Sequence, residues 1–360
     1  MTCSLCGLLV SASASAKNIS LMTYNLENLF DTVHDEGKTD YTYMPLKTKK
    51  ASAEAQKYCN SMKPGKYKEE CLTLDWTATV LKKKIMNLAK VIKQADNGTS
   101  PDILVMEEVE NINALTMLRD IGLSDEGYVE VILLEGPDHR GIDVGMLSKF
   151  PILGKPKLHI VDLSRTSDAP EFAGGTTRGI LEATFEINGT KLTVLGNHWP
   201  SQGNSDEARI AAAKTLYTVG SKIENPVIAT GDFNTTEGDT LNGINRYLLN
   251  SRLRFNYFDS QREYYGGDLG DDGSYHYDGQ WQALDRIFFQ KKALGSKVRP
   301  LWKTWNIFVK DFMLSNETYT NPETGESETS YNVPMSYNAK DGTGFSDHLP
   351  VLIHIEIDSK

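Results

Sequence analysis

Cysteine and long apolar runs are scarce in this sequence, and its basic residues are outnumbered by acidic ones. Its 360 residues include 38 lysines and arginines against 48 aspartates and glutamates, which gives a net charge of -10. This acidic balance argues against a protein that coats nucleic acid with a basic surface. It leaves open an enzyme that approaches a phosphodiester through a bound metal, because the metal supplies local positive charge. No apolar run approaches the roughly 20 residues that a membrane-spanning helix needs.

Three familiar catalytic signatures are missing as well. The sequence has no glycine-rich phosphate-binding P-loop, no G-x-S-x-G nucleophile elbow and no H-E-x-x-H zinc motif. These absences disfavour P-loop nucleotidases, serine hydrolases of the α/β type and zincin proteases.

The first sixteen residues differ from the rest. A short apolar run, 6–10, is followed by serines and alanines that end at Ala16, as at the cleavage site of a secretory signal. The basic segment that usually begins such a signal is missing, and an unstructured cytosolic N-terminus is the alternative. We expect residues 1–16 to be a signal remnant, the mature chain to start near Lys17, and the protein to be secreted or periplasmic.

Removing that segment leaves two cysteines, Cys59 and Cys71. A pair enclosing a short polar loop predicts a disulfide formed in an oxidising compartment, with two free thiols as the alternative. The pair lies in residues 31–75, which are rich in Lys, Thr, Asp and Tyr and show no clear periodicity. We interpret this stretch as an insertion into the domain.

Two amphipathic helices are predicted. Leu81, Ile85, Leu88 and Ile92 fall on one helical face, and the neighbouring lysines 82–84, 90 and 93 are interpreted as a solvated face. Residues 208–223 form the second. Elsewhere strands follow one another directly, and 319–343 reads as a polar loop. This mixture favours sheets covered by helices.

Polar residues stand at the ends of most predicted strands, where loops commonly deliver side chains for chemistry. The set comprises Asn25, Glu108, His198, Asp232, Asn234, Asp285, Asp347 and His348. Glu107, beside Glu108, is expected to face solvent. Oxygen donors without cysteine suit Mg²⁺, Mn²⁺ or Ca²⁺ better than structural zinc.

The motifs that contain these residues resemble those of the endonuclease/exonuclease/phosphatase superfamily. They run in the family's order through Tyr24-Asn25, Pro101-Asp102-Ile103 to Glu108, Gly196-Asn197-His198, Gly231-Asp232-Phe233-Asn234, Leu284-Asp285-Arg286 and Ser346-Asp347-His348-Leu349-Pro350. The resemblance implies a DNase I-like fold: an α/β/β/α sandwich of two facing mixed sheets with helices outside. Residues 17–360 would form one such domain.

The resemblance also implies a role for each residue. Glu108, Asn25 and Asp347 would bind the metal, and His348 would act as general base, oriented by Asp285. Asp232 and Asn234 would position the attacking water and the scissile phosphate, and His198 would be a second catalytic histidine. Arg178 and Arg140 would bind the substrate. Asp143 is our choice for the acidic partner of the second histidine, His198.

These roles predict a secreted, divalent-metal-dependent phosphodiesterase, specifically a DNA endonuclease that acts as a monomer without a stable protein partner, with RNA as a second candidate substrate. One alternative is a phosphatase or a phospholipase C acting on a sphingolipid or inositol phosphate. A lipid substrate would call for an exposed apolar hairpin, and Leu301–Trp305 is the nearest candidate. The other alternative, a non-catalytic binding module, predicts lost catalytic residues, and none of the expected set is missing.

Overall fold

The computed structural model describes residues 15–168, 176–295, 297–320 and 327–359. Nearly all of the expected signal segment, residues 1–14, therefore lies outside the described residues. Among the residues that are described, every helix is too short or too polar to traverse a lipid bilayer.

The strands, in chain order, have the following bounds. They are β1 (Lys17–Leu29), β2 (Ile103–Val109), β3 (Glu130–Leu133), β4 (Asp143–Ser148), β5 (Lys157–Asp162), β6 (Thr176–Ile187), β7 (Thr190–His198), β8 (Val227–Asp232), β9 (Tyr257–Asp259), β10 (Tyr275–Tyr277), β11 (Gln280–Gln282), β12 (Asp285–Gln290), β13 (Val298–Pro300), β14 (Asn306–Ile307), β15 (Leu314–Thr320), β16 (Ser327–Pro334) and β17 (Val351–Ile357). The α-helices are α1 (Leu46–Ala51), α2 (Ala53–Ser61), α3 (Lys66–Thr73), α4 (Ala78–Ile92), α5 (Ile112–Met117), α6 (Asp206–Lys222) and α7 (Ser260–Tyr265).

Two mixed sheets form the centre of the molecule. The first has the order β13-β17-β1-β2-β4-β3, with β14 also paired to β17, and the second has the order β5-β6-β7-β8-β12-β9. Within them β1 runs parallel to β2, and β7 runs parallel to β8. Strands β10–β11 and β15–β16 form separate two-stranded ribbons.

Three apolar layers hold these sheets and the helices together. The first lies between the sheets and includes Val105, Phe185 and Ile353. The second packs the other face of the first sheet against α4 and α5, and the third packs α6 against the second sheet. The layers therefore run α/β/β/α, which confirms the predicted fold class.

The alternating segment before the C-terminus behaves as predicted. Val351, Ile353, Ile355 and Ile357 all face the layer between the sheets. Leu352 faces the helical layer, whereas His354 and Glu356 are only partly buried. Because successive residues of a strand point to opposite faces, one strand contributes to two apolar layers.

The predicted amphipathic helices are also present. Thr77 caps α4, since its side chain accepts a hydrogen bond from the amide of Val80. The interpretation of the lysines as a solvated face is wrong at Lys84, of which only 1% is exposed. Lys84 lies three residues after Leu81 and one before Ile85, so the helical period places it on the buried face.

The insertion over residues 31–75 is more ordered than its composition indicated. It forms α1, α2 and α3 around a small apolar cluster that includes Tyr41, Met44 and Ala55. The predicted disulfide between Cys59 and Cys71 is confirmed, with Cα atoms 5.4 Å apart, and both cysteines belong to that cluster. The disulfide thus joins α2 to α3.

The interpretation of residues 319–343 as a loop is wrong in part, because β16 lies within it and pairs with β15. The residues of β16 are mostly polar, so this two-stranded ribbon lacks the alternation that identifies a strand packed on a core.

Candidate active site

The sheet registers bring the predicted site residues to one edge of the sandwich. In the first sheet Asn25 lies opposite Glu107, next to Glu108. In the second sheet His198 lies opposite Asp232, and Asp232 in turn lies opposite Asp285. Both parallel pairs therefore end at the same edge, where the loop before β17 adds Asp347 and His348.

His348 and Asp285 form a buried pair across the two parts of the site. Nδ1 of His348 lies 2.6 Å from Oδ2 of Asp285. The same carboxylate oxygen accepts a hydrogen bond of 2.6 Å from the hydroxyl of Ser274. Burial lowers the pKa of His348, but the carboxylates of Asp285, Asp347 and Asp232 outweigh that effect and raise the pKa well above its usual range.

Asp232 joins the sheets at the centre of the site. Its Oδ2 accepts a hydrogen bond of 3.2 Å from the side-chain amide of Asn25, and its Oδ1 accepts the backbone N–H of Asn234 at 2.8 Å. Burial and the charge of Asp285 raise the pKa of Asp232 to about 7. Gly231, with φ of +138°, allows this turn, because a Cβ there would lie 1.9 Å from the carbonyl oxygen of Asn197.

His198 lies between Asp232 and Glu108, the residue predicted to bind the metal. Its Nε2 is 3.7 Å from Oδ2 of Asp232 and 3.9 Å from Oε1 of Glu108. Burial, followed by Arg178 and Arg140, lowers the pKa of His198 well below its usual value. The imidazole is therefore neutral at physiological pH.

The choice of Asp143 as the partner of His198 is wrong. Oδ1 of Asp143 accepts the backbone N–H of Gly136 at 2.9 Å. Nδ1 of His198 has no hydrogen-bond partner among the described residues.

The two predicted substrate arginines meet through Asp138. Nε of Arg178 and Nε of Arg140 each lie 3.5 Å from a different oxygen of that carboxylate. Arg178 is buried and also donates to the carbonyl of Trp199 at 2.9 Å, which the side-chain amide of Asn234 contacts at 3.1 Å. Arg140 has 44% of its side chain exposed and lies at the rim.

The expectation that Glu107 faces solvent is wrong. Glu107 is fully buried and accepts a hydrogen bond of 2.9 Å from Thr23, and burial raises its pKa well above the usual value. Glu108 instead has 20% of its side chain exposed. The pairing register of β2 shifts between Met106 and Val109, and Glu108 has φ of 61°. Such an irregularity re-aims a side chain, and here it turns Glu108 towards the site.

The donors around Glu108 suit a divalent cation. Burial raises the pKa of Asp347, and the charge of Glu108 raises it further, whereas His348 lowers it. Buried carboxylates that repel each other are stabilised by a cation, and hard oxygen donors are those that Mg²⁺, Mn²⁺ and Ca²⁺ prefer. A second group, Asp232, Asp285 and His348, has ligand atoms within 4.8 Å of one another. There the hydrogen bond between His348 and Asp285 already occupies one atom of each residue.

Sequence reasoning missed several residues around these donors. Lys84 is buried near Glu27, Asp347 and Glu108, whose charges oppose the lowering of its pKa by burial. Glu27 has its pKa raised to about 7, mainly by burial. Tyr43, from the insertion, has its pKa raised by burial and then by Glu108. The helical spacing of the apolar residues around Lys84 could have predicted its burial. No local pattern predicted that Glu27 and Tyr43 lie near the site.

Comparisons with known proteins identify the family and the fold. The sequence profile of the Endonuclease/Exonuclease/phosphatase family matches residues 60–357. The chain belongs to this family. Its members are hydrolases that act on phosphoesters and generally use divalent metals. No curated protein matches the chain.

Solved structures of the endonuclease/exonuclease/phosphatase family share the fold at low identity. A family member from Bacteroides thetaiotaomicron is 14% identical with a TM-score of 0.53, covering 95% of this chain and 99% of its own. A mannosyl-6-phosphatase from the same species is 14% identical with a TM-score of 0.51, covering 94% and 99%. A 2',3'-cyclic phosphatase is 13% identical with a TM-score of 0.54, covering 95% and 97%.

Proposed function

We propose that the protein is a secreted or periplasmic, divalent-metal-dependent phosphodiesterase and that DNA is its substrate. The observation that carries the proposal is the contact between His348 and Asp285, which presents an imidazole beside a group of buried carboxylates. Phosphodiester hydrolysis needs an activated water and stabilisation of the charge that grows on the phosphoryl and leaving oxygens. Residues 17–360 would act as one domain and as a monomer.

In this proposal His348 is the general base. A divalent ion held at Asp347 would neutralise part of the carboxylate charge that raises the pKa of His348 and so leave the imidazole free to accept a proton. With Nδ1 fixed by Asp285, Nε2 then takes the proton of a water whose oxygen attacks phosphorus. The bond from phosphorus to the leaving oxygen breaks, and the leaving oxygen takes up a proton from solvent. Asp285 holds one tautomer and favours the imidazolium that forms. A positioned base of this kind typically contributes about 10²–10⁴-fold to the rate.

Other side chains bind and orient the phosphate. Asp232 and Asn234 position the water and the phosphate, and neutral His198 hydrogen-bonds a phosphoryl oxygen. Arg178 and Arg140 contribute positive charge that attracts the phosphate. Glu108, Asn25 and Asp347 would hold a divalent ion, Mg²⁺ or Mn²⁺ with Ca²⁺ as a further candidate, which supplies Lewis-acid stabilisation of the developing charge.

A phosphomonoesterase is the second candidate. One fold neighbour is a mannosyl-6-phosphatase, and the net charge of -10 suits a small substrate better than a long polyanion. A phospholipase that inserts into membranes has less support. Trp305, in the stretch considered for insertion, is only 3% exposed, and the ring of Trp302 packs 5.2 Å from that of Phe289.

A substrate panel separates these candidates. Plasmid DNA, single-stranded DNA, RNA, sphingomyelin and a sugar phosphate are each incubated with Mg²⁺ or Mn²⁺, with and without a chelator. The proposal expects cleavage of DNA that stops when the metal is chelated. Release of inorganic phosphate from the sugar phosphate with no cleavage of DNA or RNA would reject the phosphodiesterase in favour of the phosphatase.

A further inference from the structure

Two tyrosines of the short strand β10 extend outward from the reacting end of the site. Their rings lie on one side of the β10–β11 ribbon, because alternate residues of a strand share a face. The centroid of the Tyr275 ring is 4.6 Å from that of the His348 imidazole, with the planes 32° apart. The Tyr277 ring follows at 6.5 Å from Tyr275 with the planes only 8° apart, and 63% of Tyr277 is exposed.

Tyr275 and Tyr277 are called the aromatic rim below. A third tyrosine, Tyr67, is 75% exposed in the insertion and lies within the segment that the disulfide from Cys59 to Cys71 encloses.

The segment beside Tyr67 carries both signs of charge. Lys63 and Lys66 are exposed, but Nζ of Lys66 lies 3.9 Å from the carboxylate of Glu70, and Lys68 donates to the carbonyls of Asn60 and Met62. Exposed aromatic rings on which successive bases stack are one means by which proteins bind single-stranded nucleic acid.

The nearly parallel rings favour a flat occupant that continues the stack. A planar ring needs roughly 3.5 Å on each face for van der Waals contact. The centroids of Tyr275 and Tyr277 are only 6.5 Å apart, so the occupant lies on the exposed ring of Tyr277 and not between the two rings. A base within a duplex is already stacked on its neighbours, which favours an unpaired base.

We propose that the aromatic rim stacks an unpaired nucleobase next to the scissile phosphate. This inference rests on the proposed function and narrows its substrate to single-stranded nucleic acid. The base would lie on the ring of Tyr277, so that stacking holds the adjacent phosphodiester in front of His348.

The test compares short single strands that carry either a normal nucleotide or an abasic one, moved one position at a time past the cleavage point. The quantity measured is kcat/KM for the wild type, Tyr277→Ala and Tyr277→Phe. Stacking predicts that Tyr277→Ala lowers kcat/KM by about 10-fold on strands with the base, while Tyr277→Phe keeps most of it. On the strand whose abasic position meets the rim, the alanine variant should match the wild type within about 2-fold, since no base is left to stack.

Tyr331→Ala is the matched control, because Tyr331 is 69% exposed on β16 and makes no ring contact among the described residues. It should cleave both kinds of strand at the wild-type rate. An equal loss for Tyr277→Ala on base-bearing and abasic strands would overturn the inference and leave the proposed function intact.

A binding measurement keeps the two proposals separable. His348→Ala, with and without Tyr277→Ala, is titrated with a strand that contains 2-aminopurine, whose fluorescence falls when the base stacks on an aromatic ring. Quenching that disappears with Tyr277→Ala supports the rim even if the wild type cuts no strand, in which case the proposed function fails alone. Quenching that Tyr277→Ala does not change overturns the inference.

Discussion

Nδ1 of His348 lies 2.6 Å from Oδ2 of Asp285. Asp285 begins β12 of the second sheet, whereas His348 lies just before β17 of the first sheet. That oxygen also accepts the hydroxyl of Ser274. The pair therefore has a defined geometry before any substrate binds. If Asp285 serves only to orient His348, its removal should have no effect once the imidazole is gone.

Asp285→Asn should lower kcat by about 10²–10⁴-fold, because the imidazole loses the group that fixes its tautomer. His348→Ala should lower kcat at least as much, and the double variant should be no worse than His348→Ala alone. The measurement is kcat with saturating metal for all three variants. Losses that multiply in the double variant would show that Asp285 acts independently of the histidine.

Lys84→Met should make the protein more dependent on metal for stability. Lys84 is buried near Glu27, Asp347 and Glu108, so its removal leaves three carboxylates without that cation. We expect a lower Tm in chelator and a larger rise on addition of Mg²⁺ than in the wild type. Lys82→Met, at an exposed position of the same helix, is the control. An equal Mg²⁺-induced shift in Lys84→Met and wild type would contradict this reading.

Asp143→Asn should stabilise the protein at alkaline pH. Burial raises the pKa of Asp143 to about 7, above that of an unfolded aspartate. A raised folded-state pKa contributes stability that is fully present below about pH 4 and is lost as the pH rises through about 7. The asparagine variant should therefore gain in Tm at pH 8 relative to the wild type and gain little at pH 5.

The control for that change is Asp271→Asn, at an exposed position, which should follow the wild type at both values of pH. Thermal denaturation of the three proteins without added metal gives the comparison. If the difference in Tm between Asp143→Asn and the wild type is the same at pH 8 as at pH 5, the Asp143 carboxylate does not titrate as stated.

Replacing Cys59 and Cys71 together by serine should cost about 3 kcal/mol of stability, since the disulfide closes a short loop. The loss is measured by urea denaturation. A loss below about 1 kcal/mol would show that closing this loop contributes little to stability.

The sequence predicted those parts of the fold where a period is long and regular. The alternation of residues 351–357 and the helical spacing from Leu81 to Ile92 both appear as β17 and α4. Short elements were missed. Strand β10 has three residues, too few for a period, so Tyr275 beside His348 could not be distinguished from a loop residue.

The same limit applies to the site. Strand-end polar residues and family motifs predicted ten site residues, and the sheet registers place Asn25, His198, Asp232 and Asp285 of these at one edge. The irregularity at Glu108 leaves Glu107 buried, contrary to expectation, while Glu108 still turns towards the site, and such a shift leaves no mark in a single sequence. The helical period predicts that Lys84 is on the buried face of α4, but its charge and its lysine neighbours favoured a solvated position.

The most direct test of the account is cleavage of single-stranded DNA by the wild type and by His348→Ala, each with Mg²⁺ and with a chelator in its place. The account predicts cleavage by the wild type with Mg²⁺, none in chelator, and a rate at least about 100-fold lower for His348→Ala. Cleavage that persists in chelator, or at an undiminished rate in His348→Ala, would contradict it.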